Sequence, residues 1–405
     1  MLSKYNLRGE VGTDLKETHI KSYAKKIVGY IYQNKLNKSI LVGKDNRLTS
    51  DYILNIISEV LLKYGVEINL IGVSTTPQLV YLTKRFKFDL GLMITASHNN
   101  YKCNGIKCFN SYGKMVDLQH MDFKIRIKPD YVKCVDLIKH REVYLCELKN
   151  RLNKNKLKCV FDCANGASVD VVRKIFPHHQ IIGCDTSGIY INEGYGSEYL
   201  DKIISACKRN NKIGFAFDGD GDRVIAIDQT GEVIDGDKIL YILATQMLGF
   251  GDKVIGTQIS SLGLEIGLRR LGVTLIREKV GAKYVYRRMV KEGCILGGES
   301  CGHIFLNGIS DGVGVAIEIL NILNRTGFTF KELLRGYKQM YKFIKDVELK
   351  CVVNDAEFDQ AVKDMHIVVR KSVTEDKLRI MVEGCDEKLT KIKFDQTVAR
   401  YIGDV

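Results

Sequence analysis

The sequence has no continuous apolar stretch of the roughly 20 residues that a membrane-spanning helix needs. Its longest candidate, around residues 313–323, is interrupted by Glu318. The N-terminal segment MLSKYNLRGEVGTDLKE also lacks the apolar core and the small-residue cleavage site of a secretory signal. From these two absences we expect a cytoplasmic protein that has no membrane partner.

Zinc-site and disulfide patterns are missing as well. The 12 cysteines include no Cys-x-x-Cys pair, and no nearby histidines complete a zinc pattern. In a chain of this size without an apparent export signal, we expect free thiols. Cys159 and Cys163 lie in or beside a strand-like apolar segment, where a buried structural cysteine is the ordinary outcome.

The net charge of +13 comes from 61 basic and 48 acidic residues. The basic residues are scattered, and neither an aromatic-basic repeat nor a recognised nucleic-acid-binding module accompanies them. We therefore expect no nucleic-acid partner, although a binder driven by charge alone is an alternative. A phosphorylated small molecule would suit a basic chain equally well.

Strand-like and helix-like segments alternate almost throughout the chain. Strand-like runs lie at 39–43, 68–72, 90–95, 156–162, 214–217 and 254–258, and helix-like runs begin near residues 51, 169 and 237. This alternation predicts parallel α/β sheets. Ligands of such sheets bind at the carboxyl ends of the strands, where polar loops follow most of these runs.

The length of 405 residues predicts two to four domains instead of a single core. A basic stretch at 126–151, which contains Pro129, separates the first α/β unit from the second. A softer boundary follows the segment 222–228, and another falls near the segment 342–350. We place the domains at residues 1–130, 131–228, 229–345 and 346–405.

Three carboxylates occupy alternate positions at Asp218, Asp220 and Asp222, directly after an apolar run. Like charges this close repel unless a cation lies among them, and the interleaved glycines let the backbone turn tightly. Hard oxygen ligands suit Mg²⁺ or Ca²⁺. An Asp/Gly-rich surface turn is the alternative. An EF-hand fails because Arg223 and Gln229 stand at its required Gly and Glu positions.

The segment TASHNN places Ser97 directly after another apolar run. No Gly-x-Ser-x-Gly elbow surrounds Ser97, and the side chain of its neighbour His98 diverges from it, which argues against a hydrolase triad. Taken alone, Ser97 is more typical of a turn or a helix cap than of a nucleophile.

Ser97 and the three aspartates belong to a set of four motifs that follow one another along the chain. They are TASHNNYKCNGIK at 95–107, DGDGDR at 218–223, GESCGH at 298–303, and RKSVTED at 370–376 followed by Arg379. In this order they resemble the phosphoserine, metal, sugar-binding and phosphate-binding loops of the α-D-phosphohexomutase superfamily, which includes phosphomannomutase/phosphoglucomutase and phosphoglucosamine mutase. The segments YNLRG at 5–9 and VGKDNRLTS at 42–50 add support, so that the resemblance covers essentially the whole chain.

The resemblance implies an α/β protein with three mixed α/β domains and a smaller C-terminal α+β domain around a central cleft. It assigns the four predicted domains, in order, to the phosphoserine loop, the metal, the sugar and the substrate phosphate. The partner would be a small-molecule sugar phosphate, and the protein would be a monomer or a homodimer.

The implied activity is that of an isomerase that interconverts hexose 6-phosphate and hexose 1-phosphate. A phosphorylated Ser97 would donate its phosphoryl group to the sugar, and the bisphosphorylated sugar would then return its other phosphoryl group. Mg²⁺ and a hexose 1,6-bisphosphate activator are implied as cofactors. The resemblance assigns the metal to Ser97, Asp218, Asp220 and Asp222, catalysis to Ser97, Arg8, Arg223, Lys279 and His303, and substrate binding to Glu299, Ser300, Cys301, Arg370, Ser372, Thr374 and Arg379.

Four positions depart from the family pattern. Asn100 replaces a Pro, Cys301 replaces a Ser, Val373 replaces a Gly, and Asp376 replaces a Pro. None of the four is a reacting group, although the last two lie in the phosphate loop. A degenerate relative that binds phosphosugars without turnover is therefore an alternative.

The substrate is the least determined part of the sequence-based prediction. The N-terminal motifs YNLRG at 5–9 and RLTS at 47–50 resemble phosphomannomutase/phosphoglucomutase, and on them we expect a mannose or glucose phosphate. The middle of the chain, with INEGYGS at 191–197 and VGAKYV at 280–285, instead resembles phosphoglucosamine mutase. That activity is the alternative.

Overall fold

The computed structural model describes residues 6–118, 121, 134–153, 156–348, 358–362, 365–371 and 377–402. The chain divides into two compact units. One consists of Met1–Ile234 with Ile309–Gly327, and the other consists of Asp235–Gly308 with Phe328–Val405. Among the described residues, no helix combines the length and the apolar character that crossing a bilayer requires.

The first unit begins with a six-stranded sheet of order β1-β5-β4-β2-β3-β6. Strands β2, β3, β4 and β6 run parallel, whereas β5 is antiparallel to both β1 and β4. The strands are Asn6–Glu10 (β1), Ser39–Lys44 (β2), Glu67–Val73 (β3), Leu90–Ile94 (β4), Cys103–Asn110 (β5) and Cys134–Asp136 (β6), and the helices between them are Glu17–Gln33 (α1), Ser50–Lys63 (α2) and Thr76–Arg85 (α3).

The same unit contains a five-stranded sheet of order β11-β10-β9-β7-β8. Its strands are Cys159–Asp162 (β7), Gln180–Ile182 (β8), Ile213–Phe217 (β9), Val224–Ile227 (β10) and Val233–Ile234 (β11), and the associated helices are Arg141–Arg151 (α4), Ser168–Ile175 (α5) and Asp201–Asn210 (α6). Strands β8, β7 and β9 run parallel, and β10 and β11 are antiparallel additions.

The second unit contains a sheet in which β13, β12, β14 and β15 are neighbours in that order. The elements are Gly236–Met247 (α7), Lys253–Thr257 (β12), Leu262–Arg270 (α8), Thr274–Glu278 (β13), Ala282–Glu292 (α9), Leu296–Gly298 (β14) and Ile304–Leu306 (β15). The chain then forms Ile309–Ser310 (β16) and Gly312–Thr326 (α10), both of which belong to the first unit, and returns to the second with Phe330–Leu333 (α11).

A four-stranded antiparallel sheet of order β17-β20-β19-β18 completes the second unit. Its elements are Tyr341–Glu348 (β17), Phe358–Val362 (β18), Met365–Lys371 (β19), Lys377–Gly384 (β20) and the helix Glu387–Ile402 (α12). One face of the sheet packs on Phe394 and Val398 of the helix. Three mixed α/β sheets followed by a smaller strand-rich domain confirm the predicted fold class.

The strand-helix alternation predicted parallel sheets, and the resemblance implied mixed α/β domains; the sheets are mixed, for a definite reason. A parallel connection needs a dozen or more residues, whereas two antiparallel strands can be joined by a short loop. The segments that begin with TASHNN, DGDGDR and GESCGH are themselves such short loops. They join the antiparallel pairs β4–β5, β9–β10 and β14–β15, respectively.

Burial explains why the predicted strands form. All five residues of β4 and all four of β7 are buried, as expected for strands covered on both faces. Helices α1 and α2 turn apolar faces towards the first sheet, where Ile27 and Ile57 are fully buried. Close packing also depends on Gly105 of β5, because a Cβ there would lie 2.2 Å from the Leu7 carbonyl oxygen. Gly105 stands opposite Arg8, which it thereby allows to sit close to β5.

Within the second unit, Glu383 of β20 binds the N-terminus of α8. Its Oε1 accepts a hydrogen bond from Ser261 Oγ at 2.7 Å, and its Oε2 accepts one from the backbone N–H of Leu262 at 2.7 Å. Glu383 is only 2% exposed, so both bonds are shielded from water. A carboxylate at a helix N-terminus also interacts favourably with the helix dipole.

Glu383→Ala should lower the free energy of unfolding by about 2–4 kcal/mol, because charge-assisted hydrogen bonds contribute about 1.5–3 kcal/mol each. The substitution also removes a repulsion between Glu383 and nearby Asp237, but this gain is smaller than the loss. Burial and then Asp235 raise the pKa of Asp237 to about 7, and Glu383 contributes less. Urea denaturation would measure the change. The matched control is Glu387→Ala, at an exposed position of α12. Equal midpoints for the two variants would contradict the prediction.

Candidate active site

The three aspartates of the DGDGD segment converge, as their spacing predicts. The segment joins β9 to β10, and Asp218, Asp220 and Asp222 are 0%, 0% and 3% exposed. Ligand oxygens from the three carboxylates all lie within 4.8 Å of one another. Gly221 makes the turn possible with its left-handed φ of 71°. Because the carboxylates are buried, the alternative of a solvated surface turn is wrong.

Ser97 lies beside this cluster. It follows β4, is 4% exposed, and its Oγ donates a hydrogen bond to Asp218 Oδ2 at 2.7 Å across 121 residues of sequence. Its backbone N–H donates to Thr95 Oγ1 at 2.8 Å. The fold thus brings together the serine and the carboxylates, which the resemblance had assigned to one metal site.

Lys107 is the residue of the site that the sequence analysis missed. It lies on β5 with a side chain only 7% exposed, and its Nζ is 2.6 Å from Asp220 Oδ2 and 2.7 Å from Asp222 Oδ2. The antiparallel return of β5 places Lys107 opposite Met93, close to the end of β4. The only signal in the sequence is that Lys107 ends the TASHNNYKCNGIK motif, to which no role for a lysine was attached.

The charges in the cluster are strongly coupled. Burial by itself lowers the pKa of Lys107, but Asp220 and Asp222 outweigh it and raise that pKa. Burial likewise disfavours ionised Asp220, yet Lys107 and a hydrogen bond from Thr76 Oγ1 lower the pKa of Asp220. Burial and the two neighbouring carboxylates raise the pKa of Asp218 well above its ordinary value. Without a metal, Lys107 is therefore the main counter-charge of the cluster.

The donor set fits a hard divalent cation. Three buried carboxylates present oxygens close enough to share one ion, and Ser97 Oγ lies within hydrogen-bonding distance of one of them. Asp220 Oδ1 is buried and has no hydrogen-bond partner among the described residues. A buried carboxylate oxygen without a donor is costly unless a cation binds it. The triad can therefore bind a divalent metal such as Mg²⁺.

Arg8 and Arg223 both approach this cluster. Arg8 Nη1 donates to Asn99 Oδ1 at 3.4 Å, and burial lowers the pKa of Arg8 although Asp220 opposes that shift. Arg223 Nη1 pairs with Glu198 at 2.7 Å, while its Nε lies 3.9 Å from Asp218 Oδ2. Two guanidinium groups near Ser97 give the site a positive rim suited to an anionic phosphoryl group.

His98 lies beside the same arginines and stays neutral. Burial first, and then the charges of Arg223 and Arg8, lower the pKa of His98 to about 2. A neutral imidazole neither repels the two arginines nor neutralises a phosphate.

The predicted sugar loop lies in the second unit, between β14 and β15. Glu299 is 8% exposed, and its Oε2 accepts a hydrogen bond from the backbone N–H of Gly281 at 2.8 Å. That bond ties the sugar loop to the loop of Lys279, which directly follows β13. Gly236 packs against the loop so closely that a Cβ would lie 2.0 Å from the Glu299 carbonyl oxygen. The other predicted residues of this loop are Ser300, Cys301 and His303.

The segment GESCG at 298–302 also has the form Gly-x-Ser-x-Gly. It turns between two antiparallel strands instead of leading from a strand into a helix. It therefore lacks the geometry of a nucleophile elbow.

The predicted phosphate loop is described only at its edges. Arg370 of β19 is 9% exposed and pairs in register with Arg379 of β20. Arg379 Nε lies 3.2 Å from Asp346 Oδ1. Ser372 and Thr374, together with the altered positions Val373 and Asp376, lie outside the described residues.

Three family models match consecutive parts of the chain. They are the α/β/α domains I, II and III of phosphoglucomutase/phosphomannomutase, which match residues 2–127, 136–231 and 235–341.

Several curated relatives are similar over nearly the whole chain. The phosphoglucosamine mutase of Alkalilimnicola ehrlichii is 32% identical, with 94% of this chain and 92% of the relative covered. The phosphoglucosamine mutase of Staphylococcus carnosus is also 32% identical, with coverage of 93% and 91%.

Solved structures show the same fold. A phosphoglucomutase/phosphomannomutase family protein from Burkholderia thailandensis gives a TM-score of 0.82 at 21% identity, with 99% of this chain and 98% of that chain covered. Aspergillus fumigatus N-acetylphosphoglucosamine mutase, solved in complex with GlcNAc-6P and magnesium, gives 0.61 at 15% identity, with coverage of 81% and 92%.

Proposed function

Since the chain belongs to the phosphoglucomutase/phosphomannomutase family, within the α-D-phosphohexomutase superfamily, we propose that it is an isomerase that moves a phosphoryl group between two hydroxyls of a hexose phosphate. The single observation that carries this proposal is the 2.7 Å hydrogen bond from Ser97 Oγ to Asp218. It places a hydroxyl that can carry a phosphoryl group at the edge of a buried carboxylate triad.

Ser97 would act as the phosphoryl carrier. In the first transfer, the Oγ–P bond of phosphorylated Ser97 breaks while a bond from phosphorus to a sugar hydroxyl forms. In the second transfer, the other phosphoryl group of the bisphosphorylated sugar returns to Ser97 Oγ, which would make a hexose 1,6-bisphosphate both intermediate and activator. Arg8 and Arg223 would stabilise the negative charge on the transferring group.

The three buried aspartates would bind the metal, and Lys107 would balance part of their negative charge. Asp218, Asp220 and Asp222 would hold Mg²⁺, which supplies charge stabilisation to the transferring phosphoryl group when bound. Lys107 binds two of these carboxylates at 2.6 and 2.7 Å and so limits their mutual repulsion.

Residues of the second unit would bind the sugar. We propose that Glu299, together with Ser300 and Cys301, accepts or donates hydrogen bonds to sugar hydroxyls, and that Lys279 and His303 assist proton transfer. Arg370 and Arg379, with Ser372 and Thr374, would bind the phosphate that is not transferred. A cytoplasmic location and a monomeric or homodimeric state stay predictions of the sequence.

Glucosamine phosphate is the substrate that we propose, in place of the mannose or glucose phosphate that the N-terminal motifs favoured. The support comes from relatives named phosphoglucosamine mutase that are 32% identical across more than nine-tenths of this chain. The segments INEGYGS and VGAKYV point the same way. The N-terminal motifs YNLRG and RLTS contain Arg8 and Arg47, and Arg47 binds the Ser97 carbonyl oxygen. Both arginines would serve the phosphoryl group and are poor guides to the sugar.

A coupled assay with glucosamine, glucose and mannose phosphates, in the presence of Mg²⁺ and the matching bisphosphate, would rank the substrates by kcat/KM. We expect glucosamine phosphate to exceed the other two by at least about 10-fold, because a pocket that hydrogen-bonds a polar group of its substrate discriminates against sugars that lack it. A higher kcat/KM for mannose or glucose phosphate would refute the substrate proposal and leave the mutase activity standing.

The rival function is a phosphosugar-binding relative without turnover, which the altered residues Val373 and Asp376 favour. Mass spectrometry of Ser97 after incubation with glucose 1,6-bisphosphate separates the two. Absence of phosphate on Ser97, combined with no exchange of labelled sugar phosphate, would refute the enzyme proposal.

A further inference from the structure

Ser97 has an unusual backbone conformation for a residue with a side chain. Its φ is 54°, in the left-handed region that disfavours residues other than glycine. Such a conformation persists only where the surrounding structure enforces it. The groups that hold the Ser97 backbone therefore decide where its Oγ points.

Two buried side chains hold this backbone through its carbonyl oxygen. Ser97 O accepts a hydrogen bond from Arg47 Nη2 at 2.9 Å and another from Asn192 Nδ2 at 2.7 Å. The same two donors also bind Asn99 O, each at 2.8 Å. The turn that carries Ser97 is thus held at two carbonyls by the same pair of side chains.

Arg47 lies in the loop between β2 and α2 and is held on several sides. Its side chain is 0% exposed, and its Nε binds Asp45 Oδ2 at 2.9 Å. Its Nη1 donates to Cys103 O at 2.9 Å and also binds Asn100 O. Arg47 therefore fixes the Ser97 turn relative to β2 and β5, within its own sheet.

Asn192 instead connects the turn to the second sheet. It lies between β8 and α6, is 5% exposed, and its backbone N–H donates to Ala164 O at 2.8 Å. It also borders the metal loop, since a Cβ on Gly219 would lie 2.8 Å from both Asn192 Nδ2 and Ser97 O. Asp218 extends from that second sheet, so the Asn192 amide spans the gap between the sheet that carries Ser97 and the sheet that carries Asp218.

We propose that Asn192 is a positioning residue for phosphoryl transfer, whose amide N–H groups hold the Ser97 turn so that Oγ faces Asp218. The inference rests on the proposed function. An asparagine suits the task because its Nδ2 offers two N–H donors for two carbonyls. An aspartate of the same shape offers none and would repel the nearby acids.

Two variants and one matched control test this role. Asn192→Ala and Asn192→Asp both remove the two donors, and the second keeps the shape of the side chain. The control is Asn165→Ala, because Asn165 is buried like Asn192, at 3% exposure, and both residues have a left-handed φ, of 60° at Asn192 and 52° at Asn165. Its Nδ2 donates to the Tyr190 carbonyl at 2.9 Å and makes no bond to the Ser97 turn.

The rate at which Ser97 takes phosphate from glucose 1,6-bisphosphate, followed by intact-protein mass spectrometry, is the first readout. We expect this rate and kcat to fall by about 10–100-fold in both Asn192 variants, because a misplacement of about 1 Å can cost that much. KM for the sugar phosphate should stay at the wild-type value, since the substrate-binding residues are untouched. Asn165→Ala should keep the wild-type rate of phosphorylation.

Hydrogen exchange of the 95–103 segment without Mg²⁺ is a second readout that needs no turnover. Exchange should be faster in the Asn192 variants than in Asn165→Ala, whatever their loss of global stability. Equal phosphorylation rates and equal exchange in the Asn192 and Asn165 variants would overturn the inference. If wild-type Ser97 took no phosphate at all, the proposed function itself would fail, and the exchange data would still report on the turn.

Discussion

Ser97→Ala should reduce kcat by at least about 10⁴-fold, in line with the loss of a nucleophile in other enzymes. The substitution removes the oxygen that would carry the phosphoryl group and that lies 2.7 Å from Asp218. The free energy of unfolding should change little, because the lost hydroxyl makes one hydrogen bond with the Asp218 carboxylate, which also accepts bonds from two backbone N–H groups. A coupled assay measures kcat, and mass spectrometry measures the phosphate bound to the protein.

A suitable control is Ser74→Ala. Ser74 is 1% exposed, and its hydroxyl has no hydrogen-bond partner among the described residues. The control should keep the wild-type kcat and the phosphate on Ser97. If Ser97→Ala turned over sugar phosphate as fast as this control, Ser97 would not be the phosphoryl carrier, and the proposed mechanism would fail.

Lys107→Met should destabilise the protein by about 3–5 kcal/mol when no divalent cation is present, because it removes one partner from a buried ion pair. The carboxylates of Asp220 and Asp222 would lose the ammonium group that lies 2.6 and 2.7 Å from them. Mg²⁺ should restore more stability to the variant than to the wild type, since the ion supplies the missing positive charge. Urea denaturation with and without Mg²⁺ measures both effects.

The pH dependence of the stability lost in Lys107→Met follows from the ionisation of Asp220. Lys107 lowers the pKa of Asp220 below its ordinary value of 3.8, against the opposing effect of burial. A carboxyl with a lowered pKa in the folded state contributes stability above its unfolded pKa and loses it as the pH falls through the folded pKa. The difference in the free energy of unfolding between wild type and Lys107→Met should therefore be largest near neutral pH and should decrease as the pH falls into the acid range.

The control for this prediction is Lys102→Met, which removes the same charge at an exposed position a few residues earlier. It should leave both the stability and its response to Mg²⁺ unchanged. Equal stability of the two variants without Mg²⁺ would mean that Lys107 is not the counter-charge of the triad.

Much of the fold could be predicted from local sequence. The run 39–43 became Ser39–Lys44, and the run 90–95 became Leu90–Ile94, because buried apolar strands carry a strong local signal. Strand β5 was missed because most of it, CNGIK at 103–107, was considered only as the end of the TASHNNYKCNGIK motif. Strand β5 is also one reason why the first sheet is mixed, since it is the antiparallel partner of β4.

The candidate site was predicted in part. The resemblance assigned Ser97 and the three aspartates to one metal site, but the role of Lys107 was invisible because its acidic partners lie 113 and 115 residues away in sequence. Asn192 was quoted within INEGYGS only as a family signal. Its contact with Ser97 O crosses 95 residues and joins two sheets.

The sequence by itself determined the metal triad, because alternate aspartates separated by glycines converge through local backbone geometry alone. It also determined the family, through four motifs in a fixed order. Only the tertiary structure decided that Ser97 faces Asp218, that Lys107 balances the triad and that Asn192 holds the Ser97 turn. Those contacts depend on strand order, strand direction and the packing of one sheet against another, which no short segment of sequence encodes.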